Sequence, residues 1–200
     1  MRLGVFGGTF DPPHIGHLVL AAEAQEQLKL ERILWLLTPT PPHKLGQFIS
    51  PLERRLEMLE AAIRRNARFE VSRVDIDRPP PHYALDSMRL LRQQYPGDEL
   101  FYLMGGDSLV DLPTWHEPIQ FVAACDCLGV MLRPGTQIDL SELGRKIPGI
   151  GEKVCFVGTP LLEISASDIR KRVSQGRHYR YFVPEGVYQI IEAHRLYREG

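Results

Sequence analysis

Two histidines with two residues between them, His14 and His17, stand at the end of the run Gly7-Gly8-Thr9-Phe10-Asp11-Pro12-Pro13-His14-Ile15-Gly16-His17. Imidazoles three positions apart on a first helical turn share a face, so both rings can address one bound group. The run follows the apolar stretch Leu3 to Phe6 and precedes helical spacing from Leu18. That makes it a strand–turn–helix junction, where unpaired amides and the helix dipole favour an anion. Gly7 and Gly8 let the backbone approach a phosphate closely, and Pro12 and Pro13 stiffen the loop. A glycine–proline loop with two incidental surface histidines is the alternative, and the position directly after the first strand weighs against it.

A second chemically loaded stretch is Ile164-Ser165-Ala166-Ser167-Asp168-Ile169-Arg170. Ser165 and Ser167 offer hydroxyls, a helix beginning near Ser167 offers amides, and Arg170 brings a planar fork suited to phosphate oxygens. On these residues alone, plain capping by Ser167 beside a solvated arginine is the stronger reading. Gly105-Gly106-Asp107 closes a strand with a carboxylate that suits a ribose hydroxyl or a helix N-cap. Trp115 and His116 precede Pro118, which favours an exposed turn over a core tryptophan. His43 and Lys44 leave a proline-rich loop, and Lys44 is placed to steady an anionic group. The chain lacks the G-x-x-x-x-G-K-[ST] of P-loop enzymes and has no G-x-G-x-x-G after its first strand, which argues against a dinucleotide-binding dehydrogenase.

The first run resembles the nucleotidyltransferase form of the HxGH box, shared more distantly with class I aminoacyl-tRNA synthetases. GGTFDPPHIGH is more narrowly similar to the bacterial nicotinate-nucleotide adenylyltransferase family. ISASDIR resembles the superfamily's ISxTxIR, GGDSLVDLPTWHE its GxDxxxxLxxW, Pro81 to Asp86 its SYTxDT, and Tyr181-Phe182-Val183-Pro184 its YxVP. The resemblance spans essentially the whole chain, with the motifs in order. It implies transfer of AMP from ATP to nicotinate mononucleotide, giving deamido-NAD and pyrophosphate. His14, His17 and Arg170 are the implied catalytic residues. ATP would meet Gly7, Gly8, Thr9, Phe10, His14, His17, Ile164, Ser165, Ser167 and Arg170. The mononucleotide would meet Lys44, Tyr83, Ala84, Asp107, Trp115 and His116, with Trp115 stacked on the pyridine ring. Mg²⁺ would travel with ATP, because no carboxylate cluster makes a protein-built cage. His82 and Ala84 replace the usual serine and threonine, which spares backbone contacts and removes hydroxyl ones. Tyr181 to Pro184 is taken as packing. The alternatives are adenylyl or cytidylyl transfer to another phosphate acceptor, such as phosphopantetheine, or a nucleotide-binding regulator without catalysis.

The elements that must position these residues follow from hydrophobic pattern. Strands are expected at 2–6, 33–37, 69–76, 100–104, 127–132 and 154–157, and helices at 18–30, 50–65, 82–95, from Ser167 to Gly176 and from Pro184. Ser50, Pro51 and Glu53 read as a capping box. This alternation means an α/β fold, Rossmann-like and doubly wound, with a mainly parallel sheet and helices on both faces. Every loaded loop then leaves the carboxyl end of a strand, the edge where such sheets bind ligands. With 200 residues, 44% hydrophobic and 24% charged, the chain reads as one domain over residues 1–200. A formal net charge of -1 disfavours a nucleic-acid partner. No apolar run approaches the roughly 20 residues of a membrane span and nothing resembles a signal peptide, so a cytoplasmic protein is expected. Cys125 and Cys127 would share a strand face, and with Cys155 they read as reduced thiols without a metal. Oligomeric state is not legible.

Overall fold

The computed structural model describes residues 1–41, 49–132, 138–160 and 162–198. Six strands form the sheet: β1 (Arg2–Gly8), β2 (Arg32–Leu37), β3 (Phe69–Ser72), β4 (Glu99–Gly105), β5 (Cys127–Met131) and β6 (Val154–Val157). Their order is β3-β2-β1-β4-β5-β6 and every neighbouring pair is parallel. The winding reverses between β1 and β4, so the crevice of the doubly wound sheet opens where β1 runs out into the Gly7–His14 loop.

The strands are near-continuous apolar runs because both faces are covered. Along β2, Ile33, Trp35 and Leu37 enter one core and Leu34 and Leu36 the other. The first core packs under α1 (Ile15–Gln27), α2 (Leu52–Ile63), α8 (Ala166–Ser174) and α9 (Glu185–Ala193). The second packs under α3 (Ala84–Gln94), α4 (Gly106–Asp111), α5 (Pro118–Ala124), α6 (Leu140–Lys146) and α7 (Ile150–Lys153). Among the described residues, no helix is long and apolar enough to cross a membrane.

Several local expectations change. β3 stops at Ser72 rather than running to residue 76, where the chain turns back toward α3. The capping box at Ser50 does not form: Pro51 is the N-cap of α2 without a side-chain bond, and Ser50 is buried with its amide donated to Asp11. Helix α3 begins at Ala84, not His82: Tyr83 is its N-cap in an extended conformation, and His82 is buried with its ring at the Arg78 carbonyl. Helix α8 is capped by Ser165 rather than Ser167. Cys125 ends α5 and points into the second core while Cys127 points into the first, so the two share no face. Tyr181 does not pack; it is 89% exposed, and Val183 carries the packing of that segment.

Candidate active site

The capping box that Ser50 fails to make is made by the two histidines. His14 is the N-cap of α1 and His17 its third residue. His17 N–H donates to His14 Nδ1 at 3.3 Å, and His14 N–H donates to His17 Nδ1 at 3.2 Å. Each Nδ1 is therefore an acceptor, which puts the proton of the neutral ring on Nε2. The rings stack at 3.6 Å and 25°. Gly16 makes this possible, since a Cβ there would lie 3.0 Å from His14 Nδ1. Helix capping and the tautomer of the two rings are thus one piece of geometry.

Behind the pair lies an aromatic wall. The His17 ring meets Phe10 edge-on at 5.1 Å and Phe6 at 6.0 Å, and Phe10 leans on Trp35 at 5.3 Å. Phe10 is 2% exposed and holds φ = 47°, a left-handed conformation that is costly for a bulky side chain. Its ring folds back beneath Gly8, where a Cβ would meet three ring carbons at 2.8–3.1 Å. Gly8 thus serves the protein's own close packing, a role beyond the access to phosphate expected of it. Packing of the Phe10 ring holds the turn against its strain.

Charged groups tie this loop down from distant parts of the chain. Arg55, 2% exposed on α2, donates to the carbonyls of Thr9, Thr38, Pro39 and Ser50 at 2.7–3.2 Å. Burial pulls its pKa down and the nearby Asp11 carboxylate opposes that fall. Asp11 itself is buried, accepting from Ser50 N–H at 3.1 Å and Tyr197 O–H at 2.6 Å. Arg170 Nη1 donates to the Asp11 carbonyl at 2.7 Å, which joins the second loaded stretch to the first. Ile164 approaches Gly16, its Cβ being 3.7 Å from where a Gly16 Cβ would stand. Ser165 Oγ accepts from Asp168 N–H and lies 3.1 Å from Ser167 Oγ. Gly7 to Phe10, His14, His17 and the 164–170 stretch accordingly meet at one end of the sheet.

On the other side of Gly7 lies a cavity of about 530 Å³. Tyr83, Ala84, Trp115 and His116 line it, as do Thr38, Asp75, Ser87 and Tyr102. Trp115 is half-buried, edge-on to Tyr102 at 6.1 Å and tilted on Phe121 at 5.3 Å. Tyr83 and His116 stack at 4.0 Å and 21°, joining the loop before α3 to the segment after α4. Burial pushes the Tyr102 phenol well up, so it is neutral and polar without charge. Asp75 is buried, paired with Arg78 at 2.9 Å and accepting from Ser87 Oγ at 2.6 Å. Arg78 also donates to the carbonyls of Pro81 and Tyr83, fixing the loop that carries Tyr83. His82 is buried against the Arg78 carbonyl, and its Nδ1 has no partner among the described residues.

Asp107 is the expected residue that stands apart: it is exposed in the first turn of α4 and does not line the cavity. Lys44 and His43 lie outside the described residues. Sequence reading missed Asp11 as an anchor, Arg55, Tyr197, and the Asp75–Arg78–Ser87 group. Asp11 lay within the first motif; Arg55 and Ser87 are polar residues on the buried faces of α2 and α3, while Asp75, Arg78 and Tyr197 lie in turns and bends where no local pattern marks them.

The chain matches the cytidylyltransferase-like family model over residues 5–172. It is 50% identical over 197 residues to the probable nicotinate-nucleotide adenylyltransferase of Thermomicrobium roseum, covering 98% of this chain and 92% of the relative. The Thermus thermophilus protein of the same name is 40% identical over 198 residues, covering 99% and 100%. Among solved structures, the nicotinic acid mononucleotide adenylyltransferase of Plasmodium falciparum complexed with NaAD superposes with a TM-score of 0.81. It is 18% identical, with 98% of this chain and 97% of that chain covered, a likeness of fold. A histidine-capped helix at the sheet's switch point, and full-length identity of 40–50% to relatives of one name, place the chain in the cytidylyltransferase-like family, among the nicotinate-nucleotide adenylyltransferases.

Proposed function

We propose that this protein transfers AMP from ATP to nicotinate mononucleotide, releasing pyrophosphate and forming deamido-NAD. The observation that carries the reading is Gly7, which lies at the head of the histidine loop and also lines the aromatic cavity. A dinucleotide would then run from one side of the sheet's switch point to the other, its new phosphate bridge lying near Gly7. The relatives' names supply the identity of the two substrates.

In this reading the mononucleotide phosphate attacks the α-phosphorus of ATP in line with the departing pyrophosphate. No side chain becomes covalently modified; the protein positions the two phosphates and stabilises charge. The His14 and His17 Nε2–H donors and the amides of Gly8 to Phe10 face the ATP phosphates. Ser165, Ser167 and Arg170 take the β- and γ-phosphates as they leave, and the Ile164 backbone meets adenine. Trp115 covers the pyridine ring, the amides near Tyr83 and Ala84 take the nicotinate carboxylate, Lys44 and His116 complete the mononucleotide contacts, and Asp107, outside the cavity in the first turn of α4, is left to a ribose hydroxyl. ATP enters as its magnesium complex. The ion would come held by the ATP phosphates and would offset their charge; both oxygens of the buried Asp11 carboxylate already accept hydrogen bonds within the protein. The reading puts the enzyme in the cytoplasm, beside its ATP.

Pyrophosphate release from ATP, with the second product identified by mass, tests the assignment. Deamido-NAD formed only when nicotinate mononucleotide is present supports it. Release that instead depends on phosphopantetheine, or none with any phosphate acceptor, rejects it.

A further inference from the structure

We infer that Tyr197, at the far end of the chain, is a positioning residue for the nucleotide loop and acts through the buried carboxylate of Asp11. The inference rests on the adenylyl-transfer reading above. Tyr197 Oη donates to Asp11 Oδ1 at 2.6 Å across 186 residues of sequence. The second oxygen of the same carboxylate accepts the Ser50 amide, and the Asp11 carbonyl accepts Arg170. One residue therefore joins the C-terminal segment, the start of α2 and the arginine of α8 to the turn that ends in His14. Asp11 follows Phe10, whose left-handed backbone costs energy and persists only where its surroundings hold it.

The bond has the properties of a built anchor rather than a chance contact. Asp11 is 4% exposed, and a buried carboxylate is costly unless both oxygens are satisfied. Tyr197 supplies one of those two bonds and is itself in a left-handed conformation, φ = 63°. The ring also lies against Met58 of α2, with Oη 3.9 Å from the sulfur. Loss of the hydroxyl would leave Asp11 Oδ1 without this donor, and the carboxylate would be driven to reorient. The peptide of Asp11, two residues after Thr9 and three before His14, would move with it. Small displacements of a donor from its phosphate cost rate out of proportion to the stability lost.

Tyr197→Phe keeps the ring and removes the hydroxyl, with its bond to Asp11, its interaction with the Ser50 side chain and its contact with the Met58 sulfur. Arg55 and Arg170 still hold the loop, so the expected loss is smaller than removal of a phosphate donor: about ten-fold in kcat/KM for ATP. The KM for nicotinate mononucleotide should stay within about two-fold. Asp11→Asn should show the same split, and the double variant should lose no more than the worse single one, because the two act as a unit. Independently of turnover, amide hydrogen exchange at Thr9, Phe10 and Asp11 should speed up several-fold in Tyr197→Phe while the amides of Cys127–Met131 keep their wild-type rates. Tyr181→Phe, on an exposed ring, serves as the control and should match wild type throughout. Wild-type kinetics and exchange in Tyr197→Phe would overturn the inference. So would a loss shared equally by both substrates with exchange faster everywhere, which would make Tyr197 a stabiliser only. A wild-type enzyme inactive on nicotinate mononucleotide would reject the substrate reading instead, leaving the exchange measurement to decide the role of Tyr197.

Discussion

On the α1 and α8 side of the sheet, the loop from Gly8 to His14 is held by side chains drawn from positions 55, 170 and 197, all hydrogen-bonded to its backbone or to Asp11. On the α3 side, rings that lean on one another share the cavity wall with the buried Asp75–Ser87 pair, and Arg78 ties the loop that carries Tyr83. The difference follows from what each side has to do. A phosphate site must hold small donors at hydrogen-bond distance from a point where charge develops, and angular errors there are costly. A slot for a flat ring needs area and one or two polar contacts, and it tolerates adjustment. Rigid polar anchoring and adaptable aromatic packing meet at Gly7.

The comparison breaks first, and hardest, at His17. His17→Ala should lose about 10²–10³ in kcat, since a donor aimed at developing charge is worth roughly 2.7–4 kcal/mol. Mononucleotide KM should hardly change. Because His17 Nδ1 also accepts the His14 amide, the same change should lower Tm by a few degrees, as loss of a cap costs about 1 kcal/mol. His17→Gln, whose amide oxygen can still accept that amide, should recover Tm without recovering kcat. Recovery of both together would mean that the ring serves the helix alone.

Arg55→Met comes next. Four carbonyls lose a buried donor, so stability should fall by on the order of 3 kcal/mol. For a chain of this length that is a drop of roughly 6–12 °C in a thermal melt. The surviving folded enzyme should show a raised KM for ATP and an ordinary one for the mononucleotide. A normal melt with normal kinetics would mean that the loop holds its shape without this anchor.

Discrimination between acid and amide mononucleotides probes the other side. A hydrogen bond to a charged group is worth about 1.5–3 kcal/mol, so kcat/KM should favour nicotinate over nicotinamide mononucleotide ten-fold or more. Equal values would remove the carboxylate contact from the reading. The smallest effect belongs to Trp115→Ala. Stacking adds roughly 0.5–1.5 kcal/mol, which gives a rise of about two- to twelve-fold in mononucleotide KM with that of ATP unchanged. Because Trp115 also leans on Tyr102 and Phe121, circular dichroism must accompany the kinetics. An unfolded variant would assign the ring to the core instead.

Much of this was legible in residue order. Alternating apolar runs and helical patterns are local consequences of burial on one or two faces, so the doubly wound sheet and its helices could be read before the structure. The Gly7–His17 junction and the 164–170 stretch could be read as well, because motif chemistry depends on spacing along the chain. Their meeting was expected from the rule that parallel sheets bind ligands at one edge. Element ends were less secure: β3 proved shorter, and Ser50 and Ser167 looked like caps while Pro51 and Ser165 took those positions. Ser50 stands one residue before the cap, buried with its amide donated to Asp11, 39 residues earlier.

Folding settled whatever depends on partners far apart in the chain. The histidines cap their own helix through each other, a geometry that rotamers and Gly16 create and that no spacing rule states. Nothing in residue order singled out Arg55 or Tyr197; the fold buried the one and brought the hydroxyl of the other to Asp11. Cys125 and Cys127 parted because the strand starts between them, sending one side chain to each core. Sequence carries periodicity and local turns because those are short-range constraints. Which buried polar group satisfies which is a long-range matching problem, solved only when desolvation forces every donor and acceptor to find a partner.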